Sequence, residues 1–271
     1  MMNLFDISNK VVIMTGGYGV LGGSAAKYLA QCGAKVVIMG RNSDKGEAFV
    51  AEIKQSGGEA FFVKADATNE VEVAAAKDAV IAKYGTIDTL INAAGGNMPG
   101  ATIAPDSNIF NLNLSDMRAV MDLNFMGTII PSVIFGEVIA QKGHGSIINF
   151  SSMSSVRVIT RVVGYSAAKS AIDNFTRWMS VEMAMKYGEG VRVNAVAPGF
   201  VLTEQNRTLL TNPDGSYTAR AEDIVRNTPF GRMGRADELH GALHWLMSDA
   251  SSFVTGTVVA VDGGFNAYSG V

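Results

Sequence analysis

Tyr165 and Lys169 stand four residues apart in the run Tyr165-Ser166-Ala167-Ala168-Lys169, and Ser152 lies thirteen residues before the tyrosine. On a helix, positions i and i+4 share one face, so the phenol and the ammonium can address a single ligand. A tyrosine with its ordinary pKa of ~10 is a poor base near neutrality, and lowering it by ~3 units requires ~4 kcal/mol. One cation at ~4 Å supplies roughly that much at an effective dielectric of ~20. This chemistry is proton exchange at an oxygen. A lone Y-x-x-x-K spacing commonly marks a surface helix; here it follows a strand of a nucleotide-binding pattern, with Ser152 at that strand's end.

The nucleotide pattern begins at Thr15-Gly16-Gly17-Tyr18-Gly19-Val20-Leu21-Gly22, where Gly17, Gly19 and Gly22 satisfy G-x-G-x-x-G. Glycines let the backbone approach a pyrophosphate, and the helix that follows offers unpaired N–H groups and the positive end of its dipole. No Gly-Lys-Ser/Thr follows, so a P-loop is excluded. Bound oxidised nicotinamide would bring a second positive charge near Tyr165. At the end of the second strand, Met39-Gly40-Arg41-Asn42 carries no carboxylate to bind the adenosine 2′-hydroxyl of NAD. Arg41 could pair with a 2′-phosphate, which leans the reading towards NADP(H) over NAD(H); it could also stack on adenine or cap a solvated turn. Asp66 could accept a hydrogen bond from the adenine amino group, or simply open the next turn with Thr68.

These residues need a frame of buried strands. Short apolar runs alternate with helical patterns: strands at 11–15, 35–39, 60–64, 89–92, 145–150, 191–196 and 258–261, and helices after 19 and at 44–56, 70–84, 115–141, 164–187 and 236–247. The first helix ends near Cys32–Gly33, and Pro131 is expected to bend or break the 115–141 stretch. Runs such as Val11–Met14 and Val36–Met39 are apolar throughout, as in parallel strands buried on both faces. The expected fold is therefore α/β, a single-domain doubly wound Rossmann fold over residues 1–271, with a seven-stranded parallel sheet and helices on both faces. A TIM barrel would leave the Gly-rich turn unexplained. Segments 95–114 and 200–235 fall outside the pattern and are expected to be irregular substrate loops.

Composition narrows the classes of function. Hydrophobic residues are 48% of the 271 and charged residues 17%, enough for a core and too little charge for a disordered chain. The formal net charge of −3 comes without basic blocks, so no nucleic-acid partner is expected. Cys32 is the single cysteine, which fits a reducing compartment. Met1–Lys10 has no signal-peptide pattern and no run suggests a membrane span, so a cytoplasmic location is expected.

With these residues in view, the chain resembles the short-chain dehydrogenase/reductase superfamily over essentially its whole length. The resemblance rests on the Gly-rich turn, Asn92-Ala93-Ala94-Gly95, Asn124, Ser152, the Tyr165/Lys169 pair, and Pro198-Gly199 with Thr203. It implies that Tyr165 is the general acid/base, Ser152 orients the substrate carbonyl, Lys169 binds the nicotinamide ribose and Asn124 holds a water in a proton relay. It also implies that Val201 and Thr203 contact the carboxamide and that the assembly is a homotetramer. The cofactor contacts expected on this basis are Gly16, Gly19, Val20, Leu21, Arg41, Asn42, Asp66, Ala67, Asn92, Ala93, Ala94, Tyr165, Lys169, Pro198, Gly199, Val201 and Thr203. The family's usual turn places a glycine at position 20, where this chain has Val20. Gly95-Gly96-Asn97, Thr160-Arg161, Gly199 through Arg207 and Asp262-Gly263-Gly264-Phe265 are similar to the D-mannonate oxidoreductase (fructuronate reductase) branch. Members of that branch carry Asp where this chain has Gly40.

A uronate needs a cation for its carboxylate and polar groups for its hydroxyls. Arg161, one turn before Tyr165 if the helix reaches back that far, and Arg157 offer the cation. Asn97, Gln205, Asn206 and Arg207 come from the two long loops and suit a polyol, so the expected partner is a small polar acidic substrate. Gluconate 5-dehydrogenase-like and 3-oxoacyl reductase-like activities are the rival enzymes, and a cofactor-binding sensor without catalysis is the rival of another kind. His240 and His244 share a helix face at a spacing that can bind metal, but no third ligand is near and a structural role is expected. Trp178 and Trp245 are read as core or subunit-interface packing.

Overall fold

The computed structural model describes residues 3–270, with the side chains of residues 204 and 205 excepted. Seven strands form one parallel sheet: β1 (Val11–Thr15), β2 (Lys35–Gly40), β3 (Glu59–Lys64), β4 (Thr89–Asn92), β5 (Gly145–Phe150), β6 (Val191–Pro198) and β7 (Val258–Val261). Their order across the sheet is β3-β2-β1-β4-β5-β6-β7. The chain winds outward from β1 in one direction, then returns to start again at β4. Beyond the carboxyl ends of those two strands lies the switch-point crevice of a doubly wound sheet.

The apolar runs read as doubly buried are so. In β1, Val12 and Met14 pack against α1 (Val20–Gln31), α2 (Ser43–Gln55) and α9 (His240–Met247). Val11 and Ile13 face the layer of α3 (Glu70–Tyr84), α5 (Gly127–Lys142) and α6 (Val163–Tyr187). Register places Thr15 beside Asn92 and Asn92 beside Asn149, so three polar side chains form a row at the strand ends.

Three expectations are corrected. The 115–141 stretch is interrupted, but not at Pro131, which lies within α5. It divides into α4 (Leu114–Met121), a π-helical turn (Asp122–Met126) and α5. The cause is Asn124, whose Nδ2 donates to the Val120 carbonyl at 2.8 Å, the acceptor its own main-chain N–H would use in an α-helix. The 200–235 segment is not irregular throughout: it contains α7 (Glu204–Leu210) and α8 (Ala219–Arg226), which share a small cluster of Leu210, Ala221, Ile224 and Met233. Helix α6 begins at Val163, and Arg161 before it has φ +77°, so Arg161 is not one turn below Tyr165.

The stretch Leu114–Lys142 is long and apolar enough to cross a membrane by length and composition, and just over half of its most apolar window is buried within this fold. His240 and His244 are structural: His240 stacks on Tyr28 and meets Ser24 at 2.9 Å, and His244 meets the Tyr28 hydroxyl at 3.0 Å. Trp245 packs into the core, whereas Trp178 is 62% exposed on α6 and is no part of it.

Candidate active site

A cavity of about 690 Å³ opens over the carboxyl ends of the strands. Ser152, Tyr165 and Lys169 all line it, together with Gly16, Gly19, Val20, Leu21, Ala93, Pro198, Gly199, Val201 and Thr203.

Its floor is a polar network inside the core. Asn92 Nδ2 donates to Ser132 Oγ at 2.8 Å and to Asn149 Oδ1 at 2.9 Å, and Asn149 Nδ2 donates to Thr176 Oγ1 at 2.9 Å. Asn92 therefore anchors the floor and does not itself line the cavity. Thr15 Oγ1 accepts from the N–H groups of Ala93 and Ala94 at 3.1 and 3.0 Å, tying the end of β1 to the chain leaving β4. Asn124, fully buried, donates to the Gly96 carbonyl at 2.7 Å and accepts from Gly96 N–H at 3.2 Å. A Cβ on Gly95 would fall 2.7 Å from Asn124 Oδ1, so only glycine fits there.

Lys169 is 3% exposed and donates from Nζ to the Phe150 carbonyl at 2.7 Å. Burial pulls its pKa down to about 8 against the opposing charge of Asp173, whose carboxylate accepts from the Ser151 hydroxyl. Burial pushes the Tyr165 phenol above its ordinary value, with the adjacent Ser152 hydroxyl acting the other way. The expected lowering of Tyr165 by Lys169 is not seen: burial prevails, and the group acting against it is Ser152. Lys169 Nζ sits 5.4 Å from the phenol ring centre and is committed to Phe150.

The turn from β1 to α1 fits a dinucleotide. No side chain caps α1 and no acid stands in its first turn. The first helical bond runs from Gly23 N–H to the Gly19 carbonyl, leaving the N–H groups of Val20, Leu21 and Gly22 unpaired where these residues line the cavity. Gly16 adopts φ +63°, and a Cβ on Gly22 would lie 2.6 Å from the Gly16 carbonyl oxygen. The displaced glycine is accommodated: Gly19 is the N-cap, and Val20 begins the helix with its side chain partly exposed. At the adenosine end, Arg41 Nη1 lies 3.7 Å from Asp66 Oδ2, and Asp66 Oδ1 accepts from Thr68 N–H and Oγ1. Asp66 thus shapes its turn, Ala67 is buried beneath it, and Asn42 caps α2 by accepting from Lys45 N–H at 2.9 Å. The place beside Gly40 is taken: a Cβ there would meet the Tyr18 ring at 2.4 Å, and the Tyr18 hydroxyl accepts from Asn42 N–H at 3.1 Å.

The substrate side departs most from expectation. Asn97 and Asn206 line the cavity, but Asn206 is occupied as a cap, accepting from Thr203 N–H at 2.7 Å and donating to the Val201 carbonyl at 2.9 Å. Arg157 reaches the Tyr268 carbonyl and Arg207 is exposed on α7; neither lines the cavity, nor does Arg161. The side chain of Gln205 lies outside the described residues. The arginine that does line the cavity is Arg220 of α8, which the sequence reading missed because it belongs to no motif and to a segment read as irregular.

Comparison with known proteins agrees with this geometry. The family model for enoyl-(acyl carrier protein) reductase matches residues 19–266. The uncharacterized oxidoreductase UxuB of Bacillus subtilis is 42% identical, with 98% of each chain covered. The chain belongs to the short-chain dehydrogenase/reductase family. A crystal structure from Haemophilus influenza, provisionally described as a D-mannonate oxidoreductase and holding NAD, superposes with a TM-score of 0.92 at 38% identity, covering 99% of this chain and 100% of that one. A gluconate 5-dehydrogenase from Burkholderia cenocepacia, in complex with NADP and tartrate, gives a TM-score of 0.87 at 32% identity, with 97% of each chain covered. The protein is an NAD(P)-dependent oxidoreductase acting on CH–OH groups.

Proposed function

We propose that the protein interconverts the ketone and secondary alcohol of a sugar acid of the fructuronate/D-mannonate type, with NADP(H) preferred. The observation that carries this reading is the charge inventory of the cleft. Its lining holds Lys169, Arg220 and polar groups such as Asn97, Thr102 and Thr203, and among the described residues no Asp or Glu. Such a lining favours an anion with hydroxyls. The Haemophilus and Burkholderia relatives are named for, or hold, acids of this kind.

Tyr165 exchanges the proton at the reacting oxygen, and Ser152 donates a hydrogen bond to the same atom. Lys169 holds the nicotinamide ribose, its ammonium oriented by the Phe150 carbonyl. A bound nicotinamide would supply or accept the hydride, and its oxidised form would add positive charge beside the phenol. Asn124 serves the relay by holding Gly96 in place. Its side chain is fully engaged, so a relay water would be held by its main-chain carbonyl, which already accepts from Thr128 Oγ1 at 2.9 Å. The expected turn contacts, with Arg41 on a 2′-phosphate, complete the cofactor site. Trp178, Val181 and Met185, an exposed apolar stripe on α6, support self-association; a homotetramer is what the family resemblance implies, and a cytoplasmic location is what the sequence leads one to expect.

Met98, Ile159, Val162, Leu209 and Leu210 also line the cleft and favour a second reading, a 3-oxoacyl thioester. Kinetics on fructuronate, 5-ketogluconate and an acetoacetyl thioester, each with NADH and NADPH, separate the two. The highest kcat/KM is expected for fructuronate with NADPH; a thioester in first place overturns the reading.

A further inference from the structure

Two cations line the cleft among the described residues, and Lys169, bound to the Phe150 carbonyl, is the one assigned above to the nicotinamide ribose. Arg220 has no such assignment. It lies in the first turn of α8 and reaches the loop preceding α6, donating from Nη1 to Thr160 Oγ1 at 3.0 Å and from Nη2 to the Thr160 carbonyl at 3.1 Å. Both acceptors are neutral. They fix the guanidinium plane and use two of its five donors, which leaves enough for a bidentate carboxylate.

Its surroundings disfavour an unpaired charge. Burial and the neighbouring Arg161 both act against the protonated guanidinium. Asp223, three residues on in α8, acts the other way but is itself paired with Arg226. Among the described residues no carboxylate lies within ion-pair distance of Arg220 or Arg161. The loop bearing Thr160 is itself fixed: Arg161 holds a left-handed φ of +77° and its carbonyl accepts from Ile103 N–H at 2.9 Å. A half-buried arginine, oriented by its bonds to Thr160 and facing a cleft with no acid among the described residues, is completed by an anionic ligand.

We propose that Arg220 is the carboxylate anchor of the cleft, with Thr160 as its positioning residue, and that it selects acidic over neutral ketoses. The proposal rests on the sugar-acid reading above. The test compares fructuronate with fructose, which carries CH₂OH in place of the carboxylate, in the wild type and in Arg220→Gln and Arg220→Lys, using NADPH binding by fluorescence to verify folding. In Arg220→Gln the ratio of kcat/KM for fructuronate to that for fructose is expected to fall about 100-fold, mainly through KM, as for loss of one partner of a desolvated charge pair. Arg220→Lys should recover about tenfold of that, since it keeps the charge but loses the fork. If Arg220→Gln does not bind NADPH, the ratio in Arg220→Lys alone decides, and it must still fall. An unchanged ratio in the variants, or a larger fall in Arg161→Gln, overturns the anchor while leaving the sugar-acid reading standing. A wild type that does not favour fructuronate over fructose overturns both.

Discussion

The floor of the cleft and its rim are built on different principles. Floor residues Asn92, Asn149, Thr176 and Asn124 are at most 1% exposed and bind one another or the main chain, within strands and helices packed on both sides. Rim residues stand on short helices and turns: Arg41 has a side chain 72% exposed, and α8 packs on a four-residue cluster separate from the main core. A buried polar network that is nearly complete has one low-energy arrangement, so the reacting groups are preorganised. The rim, with few buried contacts, is free to differ between relatives without disturbing the chemistry. On the reading proposed above, the floor sets the reaction type and the rim the choice of substrate and cofactor.

Disturbing the groups that the floor carries should cost the most. Tyr165→Phe removes the group proposed to exchange the proton, so kcat is expected to fall about 10²–10⁴-fold while NADPH affinity, read by fluorescence titration, stays within about threefold. Retained turnover would sink the assignment of the phenol as acid/base.

Lys169 shows what the floor gives up for function. Its folded-state pKa of about 8 lies below the ordinary 10.5, so the folded protein binds fewer protons between those values than the unfolded chain. The burden of burying the charge is full below about pH 8 and declines as pH rises towards 10.5. Lys169→Met should abolish activity yet stabilise the fold at pH 7 by up to about 2 kcal/mol, the pKa gap less the orphaned Phe150 carbonyl. That gain should vanish near pH 10.5, where neither version carries the charge. Thermal melts across pH check it; a gain that is independent of pH would locate the effect in packing instead.

Most of the floor was legible in the sequence. Val11–Met14 and Val36–Met39 announce doubly buried strands because burial on both faces forbids alternation. Tyr165, Lys169 and Ser152 could be read because a helix and a strand end convert fixed spacing into fixed geometry. The rim resists such reading for reasons that are equally physical. Helices α7 and α8 are two turns long, too short for a hydrophobic period to stand out, so Arg220 went unseen. Arg161 was expected on the helix face, but a left-handed residue turns the chain before α6 begins. The break at Asn124 depends on a side chain competing for its own helix's carbonyl, a contact that no spacing encodes.

The adenosine corner of the rim offers the finest test of the contrast. Gly40 leaves out the carboxylate that would favour NAD, and the Tyr18 ring fills that space, held by Asn42 N–H. Arg41→Ala should lower the NADPH-to-NADH preference about tenfold, the scale of one charge-assisted contact at a solvated site. Gly40→Asp alone should gain little NADH activity, because its Cβ would meet the Tyr18 ring at 2.4 Å and the ring cannot leave without breaking its bond to Asn42. Paired with Tyr18→Ser, the same aspartate has room, and the NADH gain should exceed the product of the single effects. Steady-state kinetics on the four proteins of this cycle measure that coupling. Simple multiplicativity would mean that Tyr18 is a bystander and that Arg41 sets the preference alone; coupling would show that even the rim chooses its cofactor by packing as well as by charge.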